Sequence, residues 1–83
     1  MRLARKQFHD RVWRSPESLE LYARDLERLL EEAFPGLEEQ TRQGQLIDRF
    51  VEGLPPEISY QLELNPRDTF EETITRGLSL IHI

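Results

Sequence analysis

Between Asp48 and Ile58 the chain ends one helix, stops and starts another within eleven residues. Phe50 and Val51 close an apolar stripe, Gly53 supplies a residue able to take the left-handed conformation that ends a helix, and Leu54 can fold back over the last turn. Pro55 and Pro56 forbid continuation. Pro56 at a first helical position has no N–H to leave unpaired, so the next helix starts at no loss. A chain punctuated in this way stacks short helices and has no need of strands.

The longest periodic segment follows Ser15-Pro16-Glu17-Ser18. Ser15 can cap, Pro16 suits a first turn, and Glu17 stands where the helix dipole favours negative charge. Leu19, Tyr22, Ala23, Leu26, Leu29, Leu30, Ala33 and Phe34 then recur at three- and four-residue steps and share one face. Charged residues fill the other, with Glu20 and Arg24 in the favourable order at four-residue spacing. Leu21 points away from the stripe.

Pro35-Gly36 ends that helix. A third runs to Glu52 with Leu46, Ile47, Phe50 and Val51 as its buried face, and Gly44 in its middle implies either a close neighbour or loose first turns. Pro56 to Leu64 makes a short helix stopped by Asn65-Pro66, and Thr69 with Glu72 forms a capping box that places Phe70 and Ile74 one turn apart. Residues 2 to 13 carry Leu3, Phe8 and Val12 at imperfect spacing and read equally as a short helix or an extended arm. The expected fold is all-α, a compact bundle of four to five short helices around one core.

Eighty-three residues form one small domain. A domain of this size buries roughly 60% of its unfolded surface, which is marginal for a lone monomer, so size alone favours self-association or a partner. The absence of cysteine excludes disulfides, thiolate zinc sites and a cysteine nucleophile, and favours an intracellular, cytoplasmic setting. The chain has neither the apolar run of a signal peptide nor a stretch able to span a membrane. The net charge of −5 conceals an asymmetry: Arg2, Arg5, Lys6, Arg11 and Arg14 against Asp10 give the first fourteen residues +4 and leave −9 for the rest. The basic segment is a candidate contact for RNA or for an acidic face of a neighbouring subunit, or simply a solvated helix surface.

Catalysis needs a positioned nucleophile or an acid–base pair. His9 and His82 are the only histidines, no G-x-S-x-G, P-loop or H-E-x-x-H occurs, and the sixteen carboxylates fall on predicted solvent faces. The expectation is a non-enzymatic chain without cofactor or metal. The last six residues, Leu78-Ser79-Leu80-Ile81-His82-Ile83, alternate apolar and polar residues and look like the in-frame translation of a transposase recognition end used in preparing sequencing libraries. On that reading the chain is a truncated fragment whose genuine sequence stops near Gly77; the alternative is a natural apolar tail.

From about Phe8 to Gly77 the chain resembles the C-terminal lobe of the capsid region of gypsy-type retrotransposon Gag proteins, which is Arc-like and SCAN-related and shares the fold of the retroviral capsid C-terminal domain. The likeness rests on Ser15-Pro16-Glu17-Ser18 leading through Tyr22 to Leu26, on Asp48 to Leu54, on Pro56-Glu57-Ile58, and on Arg67 to Ile74 closing at Arg76-Gly77. It implies a compact helical lobe, residues 15–77, preceded by a basic arm over 1–14, that self-associates, mostly as dimers, while the polyprotein assembles into a shell around RNA. Glu17 and Tyr22 look like the glutamate and aromatic of the retroviral major homology region, where the glutamate steadies a turn and the aromatic is core. Trp13, Arg14 and Asp25 depart from that region's pattern, so its polar network is not carried over. Trp13, Leu21, Tyr22 and Phe50 are the candidate interface residues, Glu17, Gly53, Pro56, Thr69 and Glu72 the structural ones. A SCAN-type dimerisation module, or RNA contact through Arg2, Arg5, Lys6, Arg11 and Arg14, are the alternatives.

Overall fold

The computed structural model describes residues 2–14, 16–63 and 69–81, the side chains of Arg2 and Ile81 excepted. Five helices occupy these residues and no strand occurs among them: α1 (Arg2–Asp10), α2 (Leu19–Ala33), α3 (Glu39–Glu52), α4 (Pro56–Glu63) and α5 (Phe70–Ile81). The all-α expectation holds. The Asn65-Pro66 stop, Arg67 and the final His82-Ile83 lie outside the described residues.

The stripe on α2 organises the rest. Leu19, Tyr22, Ala23, Leu26, Leu29, Leu30 and Ala33 are all buried, and α1, α3 and α5 pack against this helix. From α3 come Leu46, Phe50 and Val51, and from α5 Phe70 and Ile74. Phe50 stands at the centre, stacked on Tyr22 with centroids 5.3 Å apart and meeting Phe70 edge-on at 5.5 Å. Such aromatic pairs add about 0.5–1.5 kcal/mol each beyond the area they bury. A Cβ on Gly77 would come within 2.9 Å of Leu19 Cδ2, so the missing side chain lets α5 lie close over α2. The radius of gyration, 12.2 Å, is close to the roughly 12 Å of a folded chain this long, which places all five helices around a single core.

The segment before Ser15 is no free arm. Residues 2–10 form a helix whose Ala4 and Phe8, one turn apart, are buried against α2, whereas Leu3 faces solvent at 68% exposure. The helical choice wins because Ala4 and Phe8, not Leu3 and Phe8, make the apolar pair. At the other end, α5 continues through Gly77 to Ile81 with Leu78 and Leu80 half-buried against the core.

Several helix ends differ from the sequence expectation. Helix α2 starts at Leu19, not Pro16, and its cap is Ser18, whose Oγ accepts from the Leu21 N–H at 3.4 Å. Ser15 itself lies outside the described residues. The Trp13 indole N–H donates at 2.7 Å to the Glu17 carbonyl, the oxygen that a helix begun at Pro16 would offer to Leu21, and the Leu21 N–H is bonded to Ser18 instead. Gly53 is not left-handed; it has φ −85° and ψ 0°, with its N–H donating to the Arg49 carbonyl at 3.1 Å. The left-handed glycine among the described residues is Gly36, at φ 83° in the turn after α2. A Cβ on Gly44 would meet nothing within 4 Å, and the residue sits inside a regular helix, so neither a close neighbour nor a loose turn explains it. Pro56 is the first residue of α4, where the Pro55 carbonyl accepts from Ile58 and Ser59 at 3.0 Å.

Candidate functional site

The connection from α1 to α2 gathers a dense set of polar contacts. It leaves α1 at Asp10, turns through 11–18 and re-enters at Leu19. Arg11 is its hub. Arg11 Nε donates to Asp25 Oδ2 at 2.8 Å, Nη1 donates to Glu17 Oε1 at 3.1 Å, and Nη2 bonds the other Glu17 oxygen. The two-pronged contact to Glu17 is the geometry in which an arginine–carboxylate pair is strongest. Asp25 is shared with Arg28, whose Nη2 lies 2.7 Å away.

These contacts set the titration of the carboxylates. The Arg11 hydrogen bond holds Glu17 below its ordinary value. At Asp25 burial alone pushes upward, but the bonds from Arg11 and Arg28 together outweigh it and leave the carboxyl below its ordinary value. Arg11 is held above its own by the Glu17 bond. Both acids are therefore ionised and paired at neutral pH, a state suited to holding a turn.

Arg11 also lies 5.1 Å over the Tyr22 ring, within cation–π range. The Tyr22 hydroxyl reaches beyond the core to the end of α3, 3.2 Å from the Arg49 carbonyl and 3.1 Å from that of Phe50. Burial pushes its pKa up to about 12, so it stays a donor to these carbonyls. Gly53 closes the unit, with its carbonyl accepting from the Trp13 N–H at 3.0 Å. A Cβ there would fall inside the van der Waals shell of the Tyr22 hydroxyl, 3.0 Å from Tyr22 Cζ and 3.2 Å from the Arg11 carbonyl oxygen. Gly53 thus serves by leaving space, not by its backbone freedom.

This placement corrects four sequence assignments. Tyr22 and Phe50 are wholly buried and offer nothing to a partner. Trp13 is half-buried against the core with its indole and backbone N–H groups both engaged internally, so it is no free anchor. Arg11, assigned to RNA by its place in a basic run, is consumed by two carboxylates. A polar network is also present in the stretch where none was carried over, built on the Arg11 guanidinium ahead of the turn with Glu17 and Asp25. Only the i to i+6 spacing of Arg11 and Glu17 hinted at this pair, and that spacing belongs to no regular element.

Of the remaining basic residues, Arg5 lies 4.7 Å over the Phe34 ring, Lys6 and Arg14 are exposed, and the Arg2 side chain lies outside the described part of the structure. Leu21 is exposed at 67%, in company with Leu3 on α1 and Tyr60 on α4 at 66%. Arg24, expected opposite Glu20, instead forks onto Glu71 at 2.8 and 3.0 Å and ties the first turn of α5 to α2. Thr69 Oγ1 accepts from the Glu72 N–H at 3.2 Å, and the Glu72 carboxylate accepts from that hydroxyl rather than from the Thr69 N–H. Among the described residues no three histidine, aspartate or glutamate side chains converge as a metal would require, and no helix is long and apolar enough to cross a membrane. Comparison with known protein families, curated proteins and solved structures returns no match.

Proposed function

We propose that this chain is a non-enzymatic self-association module of the Gag capsid C-terminal-lobe type, contributing contacts between copies of itself. One observation carries the reading: Glu17, Tyr22 and the Gly53-Leu54 helix end, the stretches on which the resemblance rests, meet in one packed unit around Arg11 and Trp13. They behave as parts of a single architectural device, which is what a capsid lobe requires of them. The paired, depressed carboxylates of that unit favour scaffolding over catalysis. Exposed Leu3, Leu21 and Tyr60, on three different helices, supply apolar surface beyond the core.

The RNA-contact reading loses ground because Arg11 and Arg5 are engaged within the chain. A SCAN-type module is a selective dimer without capsid function, and flanking sequence separates the two: a protease, reverse transcriptase or zinc knuckle downstream favours Gag, zinc-finger arrays the SCAN type. Sedimentation velocity over a wide concentration range tests the proposal. A weight-average mass that rises with concentration is the expected result, and a strict monomer at the highest concentration overturns self-association by this chain.

A further inference from the structure

Two faces of this molecule, on different helices, are complementary in shape class and charge. The first is the outward side of α1. Leu3 is 68% exposed there, and Lys6, one turn on, is exposed and makes no ion pair among the described residues. The second is a groove of about 190 Å³ formed where α3, α4 and α5 meet. Val51 and Leu62 give it a buried apolar lining, Ile47 a half-buried wall, and Asp48, Glu52 and Glu63 an acidic rim.

The groove is too small for a drug-sized ligand, whose pockets run from about 300 to 1,000 Å³, but suits one branched aliphatic side chain. Its polar lining is partly committed already: the Thr73 hydroxyl donates to the Thr69 carbonyl at 2.9 Å, and Glu52 pairs with Arg49 at 2.8 Å. Asp48 and Glu63 have no ion-pair partner among the described residues. An occupant must therefore bring an aliphatic group flanked by positive charge. Leu3 and Lys6 are such a pair, on the segment that carries +4 in a chain whose remainder carries −9. A chain's own α1 cannot supply them, because α1 packs on α2 and the groove belongs to the other three helices.

We infer that α1 of one copy docks through Leu3 and Lys6 into the α3–α4–α5 groove of the next. Donor and acceptor are different surfaces, so copies either exchange them reciprocally across a two-fold axis or add head-to-tail until a ring closes or a filament grows. This deepens the self-association reading and rests on it. Opposite charges at the rim make the contact sensitive to salt.

Sedimentation velocity of the full chain at low and high salt, with circular dichroism to verify folding, tests the inference. All the substituted residues are exposed, so each variant should keep its helical content. Lys6→Glu and Glu63→Lys should each weaken association roughly tenfold, and combining them should restore it. Leu3→Asp, dead as a donor, and the Asp48→Lys/Glu63→Lys variant, dead as an acceptor, should each be monomeric alone. Mixed together they should form a complex that stops at one copy of each. If wild type associates while these variants associate equally well, or the mixture forms no complex, the α1-to-groove contact is wrong and self-association survives through another face. Loss on the groove variants alone, with the donor variants unaffected, assigns the groove to another occupant and overturns the inference. A wild type that stays monomeric throughout defeats both readings.

Discussion

Gly53→Ala separates packing from backbone conformation at the junction of α3 and α4. At φ −85° an alanine is conformationally acceptable, so a backbone account predicts little change. The space account predicts much, because the added Cβ would lie inside contact distance of the Tyr22 hydroxyl and 3.0 Å from its Cζ. Tyr22 has nowhere to retreat: it is wholly buried, stacked on Phe50 and covered by Arg11. Moving it breaks the bonds to the Arg49 and Phe50 carbonyls and strands a buried hydroxyl, at about 1–3 kcal/mol. Overpacking adds about 1–3 kcal/mol. A total of roughly 2–6 kcal/mol compares with about 4–12 kcal/mol for the whole stability of a domain this long. The melting temperature should therefore fall by more than about 10 °C. Removing the hydroxyl should rescue the variant, so Gly53→Ala should cost at least about 1.5 kcal/mol less in a Tyr22→Phe background, read by urea denaturation of all four members of the cycle. An equal cost in both backgrounds, or a loss below about 0.5 kcal/mol in the wild type, would refute the space account.

The Arg11 clamp predicts a pH dependence. Glu17 and Asp25 have folded-state pKa values below their ordinary ones, so the stability they contribute is present above about pH 4.5 and is lost as pH falls through the depressed values. Arg11→Gln should flatten that acid limb, and wild type and variant should draw together in urea denaturation as pH falls. Gly44→Ala, on an open helix surface, should stabilise the domain by about 0.5–1 kcal/mol and raise the melting temperature in calorimetry by several degrees. Gly36→Ala should do the reverse by about 1–2 kcal/mol because of the positive φ, with Gly36→Asn recovering part of the loss in the same scan. Phe8→Ala should cost about 3–5 kcal/mol and raise hydrogen exchange throughout α1, since that side chain and Ala4 are its buried contacts with the core.

Helical periodicity and proline punctuation are properties of neighbouring residues, and what rests on them was legible in the chain. The Leu19–Phe34 stripe specified α2 and its buried face, and Pro55-Pro56 specified the break between α3 and α4. The same evidence was ambiguous where two starts compete. Pro16 and Leu19 both suit a first turn, and the choice fell to Leu19, with the indole of Trp13 bonded to the Glu17 carbonyl. Residues 2–10 were equally ambiguous until α2 offered a surface on which Ala4 and Phe8 could be buried together.

What the sequence alone determined about this protein is therefore its class, its main helices and most of its core. The tertiary structure decided the use of the individual polar groups. Arg11 reads as one more cation in a basic run until folding brings Asp25, fourteen residues away, to its guanidinium. Gly53 reads as a helix terminator until the Tyr22 hydroxyl arrives from thirty-one residues upstream to fill the space beside it. The physical reason is the range of the interactions. Periodicity and capping act within a turn or two of helix, whereas an ion pair or a close contact depends on which distant residues the packing of the core brings together.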